Sequence, residues 1–168
     1  MDANFTMKRP SGEKVNMTQI IEIVKNYILQ EPKAKYTFTV GTDSQNFNIT
    51  KMVEVLAIHR VGKGGLFFHN TEYLPRIASI RQKITTETQK SLELADGLLE
   101  QLELSLMDCN ICLDDLDLEF QIHCDIGTQG KTKELITEIT MWVESQGYNC
   151  CIKPDSYTAS GIANKYSK

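Results

Sequence analysis

Apolar and polar residues recur along this chain with two periods, and the switches between them mark its elements. Ile20, Ile23, Val24, Tyr27 and Ile28 fall at the spacing of one helical face. Asn16 is placed to cap that helix, and Pro32 forbids its continuation. Tyr36-Thr37-Phe38-Thr39-Val40 then carries the aromatic and β-branched side chains that pack on a pleated surface, and runs through Gly41 and Thr42 into Asp43. Lys51–Arg60 and Gly65–Leu74 read as two more strands, with the glycine-rich Val61–Gly65 as their hairpin connection. The polar loop Ser44–Thr50 is equally short, so the three strands form an antiparallel meander that Pro75 closes.

A helical period takes over from about Ser79 to Met107, opened by Ser79-x-x-Gln82 in the form of a capping box. Ile80, Ile84, Leu94, Leu98 and Leu102 share one face, and Glu87 lies on it. Seven residues separate Glu87 from Ile80 and from Leu94, so a rotation of ~100° per residue brings all three into line. Glu93, Asp96, Glu100 and Glu103 point elsewhere. A carboxylate on a buried stripe is costly unless it is paired or holds a metal, which singles out Glu87. Strict alternation returns at Leu116, Leu118, Phe120, Ile122 and Cys124, and ends at Asp125 and Gly127. A helix over about Lys131–Ser145 follows, stopped by Gly147. Cys150–Lys153 is a short fifth strand, and Pro154-Asp155 opens a last helix. Met1 to Val15 is polar around Pro10-Ser11-Gly12 and reads as an irregular arm before one domain, residues 16–168.

Composition narrows the class. At 168 residues, 41% hydrophobic and 24% charged, the chain has the makings of one soluble globular domain with a substantial core. No apolar run approaches the ~18–20 residues that span a bilayer, and the first residues lack a basic-then-apolar leader. The expectation is a cytoplasmic protein with no membrane partner. Five cysteines at scattered spacings, with one isolated Cys109-x-x-Cys112, do not make a zinc site and read as reduced, mostly buried thiols. A net charge of −4 fits poorly with non-specific coating of nucleic acid. It leaves room for an enzyme with a local basic rim, and acids gathered around cations would push the total the same way.

The order helix, three strands, long helix, strand, helix, strand, helix is that of the ribonuclease H fold. It predicts an α/β architecture with a mixed five-stranded sheet, three antiparallel strands then parallel ones, flanked by helices. In it the first strand and the strand after the long helix lie side by side, so Asp43 and Asp125 end neighbours about 4.8 Å apart. Glu87 looks down onto the same point. Three such carboxylates suit two divalent ions, one to activate a water and one to stabilise the leaving oxygen. Hard oxygen ligands select Mg²⁺ or Mn²⁺. Each acid also has an ordinary role open to it: a turn residue at Asp43, a helix cap at Asp125, an ion pair with a buried base at Glu87.

Three blocks carry a closer resemblance. They are Gly41-Thr42-Asp43-Ser44-Gln45, then His123-x-Asp125-Ile126-Gly127 with Gly130-Lys131-Thr132, then Lys153-Pro154-Asp155-x-x-x-Ala159-Ser160-x-x-Ala163-Asn164-x-Tyr166. Together they resemble the bacterial YkuK-type family of predicted ribonuclease-H-like nucleases, over nearly all of the chain after the arm. The resemblance implies the fold and a metal-dependent nuclease role, with no substrate named. Well-studied ribonuclease H enzymes carry a fourth acid near the last helix. Here Asp155 is the candidate, and a plain N-cap is its other reading; Asn164 stands where another acid might have served.

A rival reading comes from Asp125-x-x-x-x-Gly130-Lys131-Thr132, close to a phosphate-binding loop except at the first glycine. A carboxylate there repels phosphate, so nucleotide binding is rejected, although Lys131 at a helix start remains a candidate phosphate contact. For the substrate, Ser44 and Gln45 beside Asp43 are candidates for a phosphate or a 2′-hydroxyl. Lys131 and Lys153 are candidates for the backbone, with Arg76, Arg81, Lys83, Lys165 and Lys168 as further cations and Tyr157 and Tyr166 as stacking surfaces. His123 shares the strand face of Asp125, as a supporting group or proton carrier. The expected function is Mg²⁺- or Mn²⁺-dependent phosphodiester hydrolysis of RNA, hybrid or structured DNA. The alternative is a catalytically silent module of the same fold that binds nucleic acid or protein.

Overall fold

The structure is a computed structural model that describes residues 4–153. Its elements run β1 (Thr6–Lys8), β2 (Lys14–Asn16), α1 (Met17–Gln30), β3 (Lys35–Asn46), β4 (Thr50–Arg60), β5 (Gly65–Leu74), α2 (Ile80–Asp108), β6 (Asp117–His123), α3 (Ile136–Ser145) and β7 (Asn149–Cys151). They build one mixed sheet in the order β2-β1-β5-β4-β3-β6-β7. β3, β4 and β5 are antiparallel neighbours, whereas β3–β6 and β6–β7 are parallel. The mixed sheet and flanking helices are as expected, but the sheet has seven strands and not five.

The two extra strands come from the stretch read as an irregular arm. Lys8, Lys14 and Arg9 made it look solvated, yet Met7 and Val15 between them point inward and are 1% exposed. Three-residue strands with one buried position each are too short to show a period, which is why the pattern hid them. They pair with each other and, through Lys8 and His69, with the free side of β5. Gly12, at φ +90°, makes the turn between them.

α1 and α2 pack on one face of the sheet and against each other. The capping box of α1 is reciprocal: Gln19 N–H donates to Asn16 Oδ1 (2.9 Å) and Asn16 N–H to Gln19 Oε1 (2.8 Å). Its far end is held by β3 and β4. Tyr36 Oη donates to the Glu31 carbonyl (2.8 Å), and Arg60 donates to Tyr36 Oη (3.1 Å) while lying 3.9 Å over the Tyr27 ring. At the opposite edge, the turn after β3 fixes where α2 begins. Thr50 Oγ1 donates to Asn46 Oδ1 (2.6 Å) and accepts from Ile77 N–H (2.9 Å), and Asn46 Nδ2 donates to the Ile77 carbonyl (2.9 Å).

Two boundaries differ from expectation in ways that touch the site. β3 runs on to Asn46, so Ser44 and Gln45 are strand residues rather than loop. The α-helix expected from Lys131 starts at Ile136, after a 3-10 turn at Lys133–Leu135, because Gly127 and Gly130 (φ +85°) and the polar run between them hold the chain open. Lys131 is therefore an exposed loop residue and not a helix start. The thiols are also less buried than expected: Cys124 is buried, Cys150 and Cys151 are half-buried, and Cys109 and Cys112 are exposed. No helix among the described residues is long and apolar enough to cross a membrane. The expected last helix, with Asp155, Tyr157, Tyr166, Lys165 and Lys168, falls outside the described residues.

If the β1–β2 hairpin is integral to the sheet, Met7→Ala costs about 2–4 kcal/mol, the range of a fully buried large-to-small change. Urea unfolding measures it; a loss under about 0.5 kcal/mol, as for a surface residue, marks the segment as a dispensable arm.

Candidate functional site

The site begins with a mismatch in strand length. β6 stops at His123, opposite Gly41, while β3 continues five residues further to Asn46. Past His123 the chain leaves the sheet, and a notch opens beside Asp43 and Ser44. Alternation along β3 then sends these two neighbours to opposite faces. Ser44, 5% exposed, faces α2 and its Oγ donates to Glu87 Oε2. One turn on, Thr42 and Ser91 share a 2.8 Å hydrogen bond between the same strand and helix. Asp43 is half-buried on the other side, where its carboxyl contacts that of Asp125.

Three acids distant in sequence are thus gathered at one notch, within each other's electrostatic reach. Burial first and the neighbouring Asp125 second push Asp43 up to about 6, against the lowering by the Ser44 backbone and Lys83. Glu87 is 3% exposed, and burial pushes it up to about 8. The Ser44 hydroxyl and Lys83 lower it, and Asp43 and Asp125 raise it. Its Oε1 is buried and accepts no hydrogen bond from the described residues. An orphan carboxylate oxygen at a cluster of acids is what a cation-binding site looks like without its cation. The donors are all hard oxygens, the set that suits Mg²⁺ or Mn²⁺. Among the described residues, however, no three Asp, Glu, His or Cys side chains close into one metal-holding group. Glu87 enters from the helix side, and the two aspartates meet on the other.

A lysine occupies part of this cluster. Lys153 Nζ lies 2.6 Å from Asp125 Oδ1. The ladder between β6 and β7 delivers it: Cys124 N–H donates to the Cys151 carbonyl (2.9 Å) and Lys153 N–H to that of Ile126 (2.8 Å). Gly127 leaves the space, since a Cβ there sits 3.0 Å from Lys153 Cβ. The hydrogen bond to Asp125 raises the Lys153 pKa above its ordinary value, with help from the charges of Asp43 and Glu87.

The ordinary roles open to these acids are not the ones they play. Asp125 does not directly precede a helix, and Glu87 is held by the Ser44 hydroxyl and makes no ion pair with a buried base among the described residues. Of the other candidates, Gln45 lies on the Asp43 side of β3 at half burial. His123 is 7% exposed with Nε2 3.2 Å from Gln121 Oε1. Ser44 is spent on Glu87. Lys131 stands away on the exposed loop, without the helix N-terminus that a phosphate-binding loop requires.

Comparison with known proteins agrees with this fold. A family described as Ribonuclease H-like matches residues 19–168. A Bacillus subtilis (strain 168) protein named "Uncharacterized protein YkuK" is 36% identical over 173 residues, covering 100% of both chains. The chain belongs to the ribonuclease H-like family. No solved structure matches it. In this ribonuclease H-like protein the notch between β3 and β6 lies at the C-terminal ends of two parallel strands, where open α/β sheets expose their chemistry.

The raised carboxyl pKa values set a sign for pH dependence. Glu87 moves from an ordinary 4.5 to about 8, so the folded state holds its proton more tightly than the unfolded one. Stability from that proton is present below about pH 4.5 and is lost as pH rises through about 8. In chelator, Glu87→Gln should match the wild type near pH 5 and become progressively more stable than it toward pH 9, by thermal unfolding. Parallel pH profiles for the two proteins would show that Glu87 is ionised in the fold and the burial argument wrong.

Proposed function

We propose that this protein is a divalent-metal-dependent nuclease, hydrolysing phosphodiester bonds at the notch between β3 and β6. The observation that carries the reading is the meeting of Asp43 and Asp125 beside a buried Glu87 that keeps one oxygen unpartnered. Asp43, Asp125 and Glu87 would hold Mg²⁺ or Mn²⁺, and such ions supply an activated water and neutralise charge on the leaving oxygen. Asp155 remains the candidate fourth acid. Membership of the ribonuclease H-like family supports nucleic acid as the substrate class, with RNA, hybrid and structured DNA all open.

On this reading the chain's own groups divide the work. Ser44 fixes one oxygen of Glu87 and so aims the other. Lys153 positions Asp125 through their ion pair, and its ammonium would be free for a substrate phosphate where a cation took that oxygen. Gln45, on the Asp43 side of the strand, is placed for a sugar or phosphate contact, and Lys131 and His123 flank the opening at a greater remove. Lys83 tempers the negative field of the trio from the first turn of α2.

One observation favours the second reading, a silent binding module: the Lys153–Asp125 pair already neutralises part of the cluster without a metal. Calorimetry with Mn²⁺ and cleavage of a panel of RNA, hybrid and branched DNA separate the two. The nuclease predicts micromolar Mn²⁺ binding, weakened about a hundredfold or more by Asp43→Asn through loss of a charged ligand, and cleavage abolished in that variant. Lys153→Met should bind Mn²⁺ more tightly and cleave more slowly. A wild type that binds Mn²⁺ and cleaves nothing on the panel identifies the module, and cleavage that survives Asp43→Asn overturns the site.

A further inference from the structure

α2 carries a second acidic region, further along the helix and over β4 and β5. A cavity of about 570 Å³ opens there, lined by Glu54, Glu72, Glu93, Asp96 and Glu100, with Lys90 the cation among its described lining residues. Most of these groups are engaged within the protein. Lys90 Nζ pairs with Glu72, Gln89 Nε2 donates to Glu93 (2.9 Å), and Tyr148 Oη donates to Asp96. Glu54 is different. It sits in the middle of β4, opposite Thr42 and Asn70, and is 6% exposed. It takes part in no hydrogen bond or ion pair among the described residues, although it lines the cavity. Burial pushes its pKa up to about 7, against the pull of Lys90 and with further raising by Glu72 and Glu93. The nuclease reading makes no use of it.

A carboxyl almost withdrawn from water, with no hydrogen-bond or ion-pair partner among the described residues, stands at the wall of an acidic cavity and suits a cation from outside the chain. The size of the space decides which kind. A metal ion needs oxygens converging at roughly 2.0–2.6 Å, whereas the acids of this wall come from β4, β5 and successive turns of α2 and surround a wide space. Around 570 Å³ lies instead within the ~300–1,000 Å³ of small-molecule pockets. Charges dispersed around such a volume match a ligand whose own charges are dispersed. Phe5 and Leu94 supply apolar wall between them. The Lys90–Glu72 pair shows that a primary ammonium is accepted here by a carboxylate at the same wall.

We propose that this cavity binds a linear aliphatic di- or polyamine, with one ammonium on Glu54, another toward Glu93 and Glu100, and the methylenes along Phe5 and Leu94. The site is separate from the notch and independent of the nuclease reading. Calorimetry of the full chain with spermidine, free of nucleic acid, should give one ligand per chain. Glu54→Gln should weaken it about tenfold or more, the scale for removing one partner of a buried charge pair. Glu93→Gln, at an exposed position that folding tolerates, should weaken it by about threefold. Asp43→Asn should leave it unchanged. Absence of spermidine binding to the wild type overturns the proposal. So do equal affinities in all three glutamate forms, or displacement of spermidine by equimolar Mn²⁺, which would mark a compact-ion site.

Discussion

The arrangement rests on one feature of the sheet, the unequal length of its two central parallel neighbours. β3 is long because its residues from Tyr36 to Ser44 pack on both faces, and the antiparallel pairing with β4 continues through Asn46. β6 ends at His123 because Asp125, Gly127 and the polar loop beyond cannot sustain a ladder. Had the two strands ended together, Asp43 would lie within a continuous ladder with its carboxyl confined to one face. The early exit of β6 removes that neighbour. Asp43 and Asp125 can then approach from the open side while Glu87 looks in from the helix side.

Gathering these acids has a consequence that no packing contact offsets. Each carboxyl loses water, and each adds its charge to the others' field, so ionising all three in the bare fold is unfavourable. The chain offers partial remedies: the Ser44 hydroxyl for one oxygen of Glu87, Lys153 for Asp125, and the more distant Lys83. None reaches Glu87 Oε1. A core that needed only stability would place Gln or Leu at position 87, next to Ile84 and Thr88. Retaining a carboxylic acid there makes sense for a group that works by exchanging its proton for a cation.

Much of this was legible along the chain, and what was not has identifiable causes. The register of Glu87 with Ile84, Leu94 and Leu98 foretold its burial, although Ile80, at the frayed start of the stripe, is 39% exposed. The element order foretold that β3 and β6 are parallel neighbours, although β3 runs past Asp43 to Asn46 and β6 stops at His123, two residues before Asp125. It did not reveal that Ser44 and not Asp43 faces Glu87, because the extra strand residues up to Asn46 read as a loop. The β1–β2 hairpin was hidden by brevity, and the late start of α3 by two glycines that keep the chain open ahead of apolar residues at helical spacing. Glu54 did carry a signal. It is a lone acid between Val53 and Val55 in a strand that is otherwise nearly all apolar, and a strand buried on both faces gives such a residue nowhere polar to go.

Two buried acids over one helix thus end in different chemistry, and the difference lies in how their neighbours are spread. Glu87 stands on the helix side within electrostatic reach of two carboxyls that meet beside the strand ends, so charge density is high and the proposed counter-charge is compact. Glu54 faces acids strung along nearly two turns of α2, from Glu93 to Glu100, where side chains on a straight helix cannot converge on one point. Negative charges drawn out along an axis favour a counter-ion equally drawn out. Focusing is what a strand end achieves and a helix face does not, and on the readings proposed for the two sites that geometric contrast separates a compact metal ion from an extended amine.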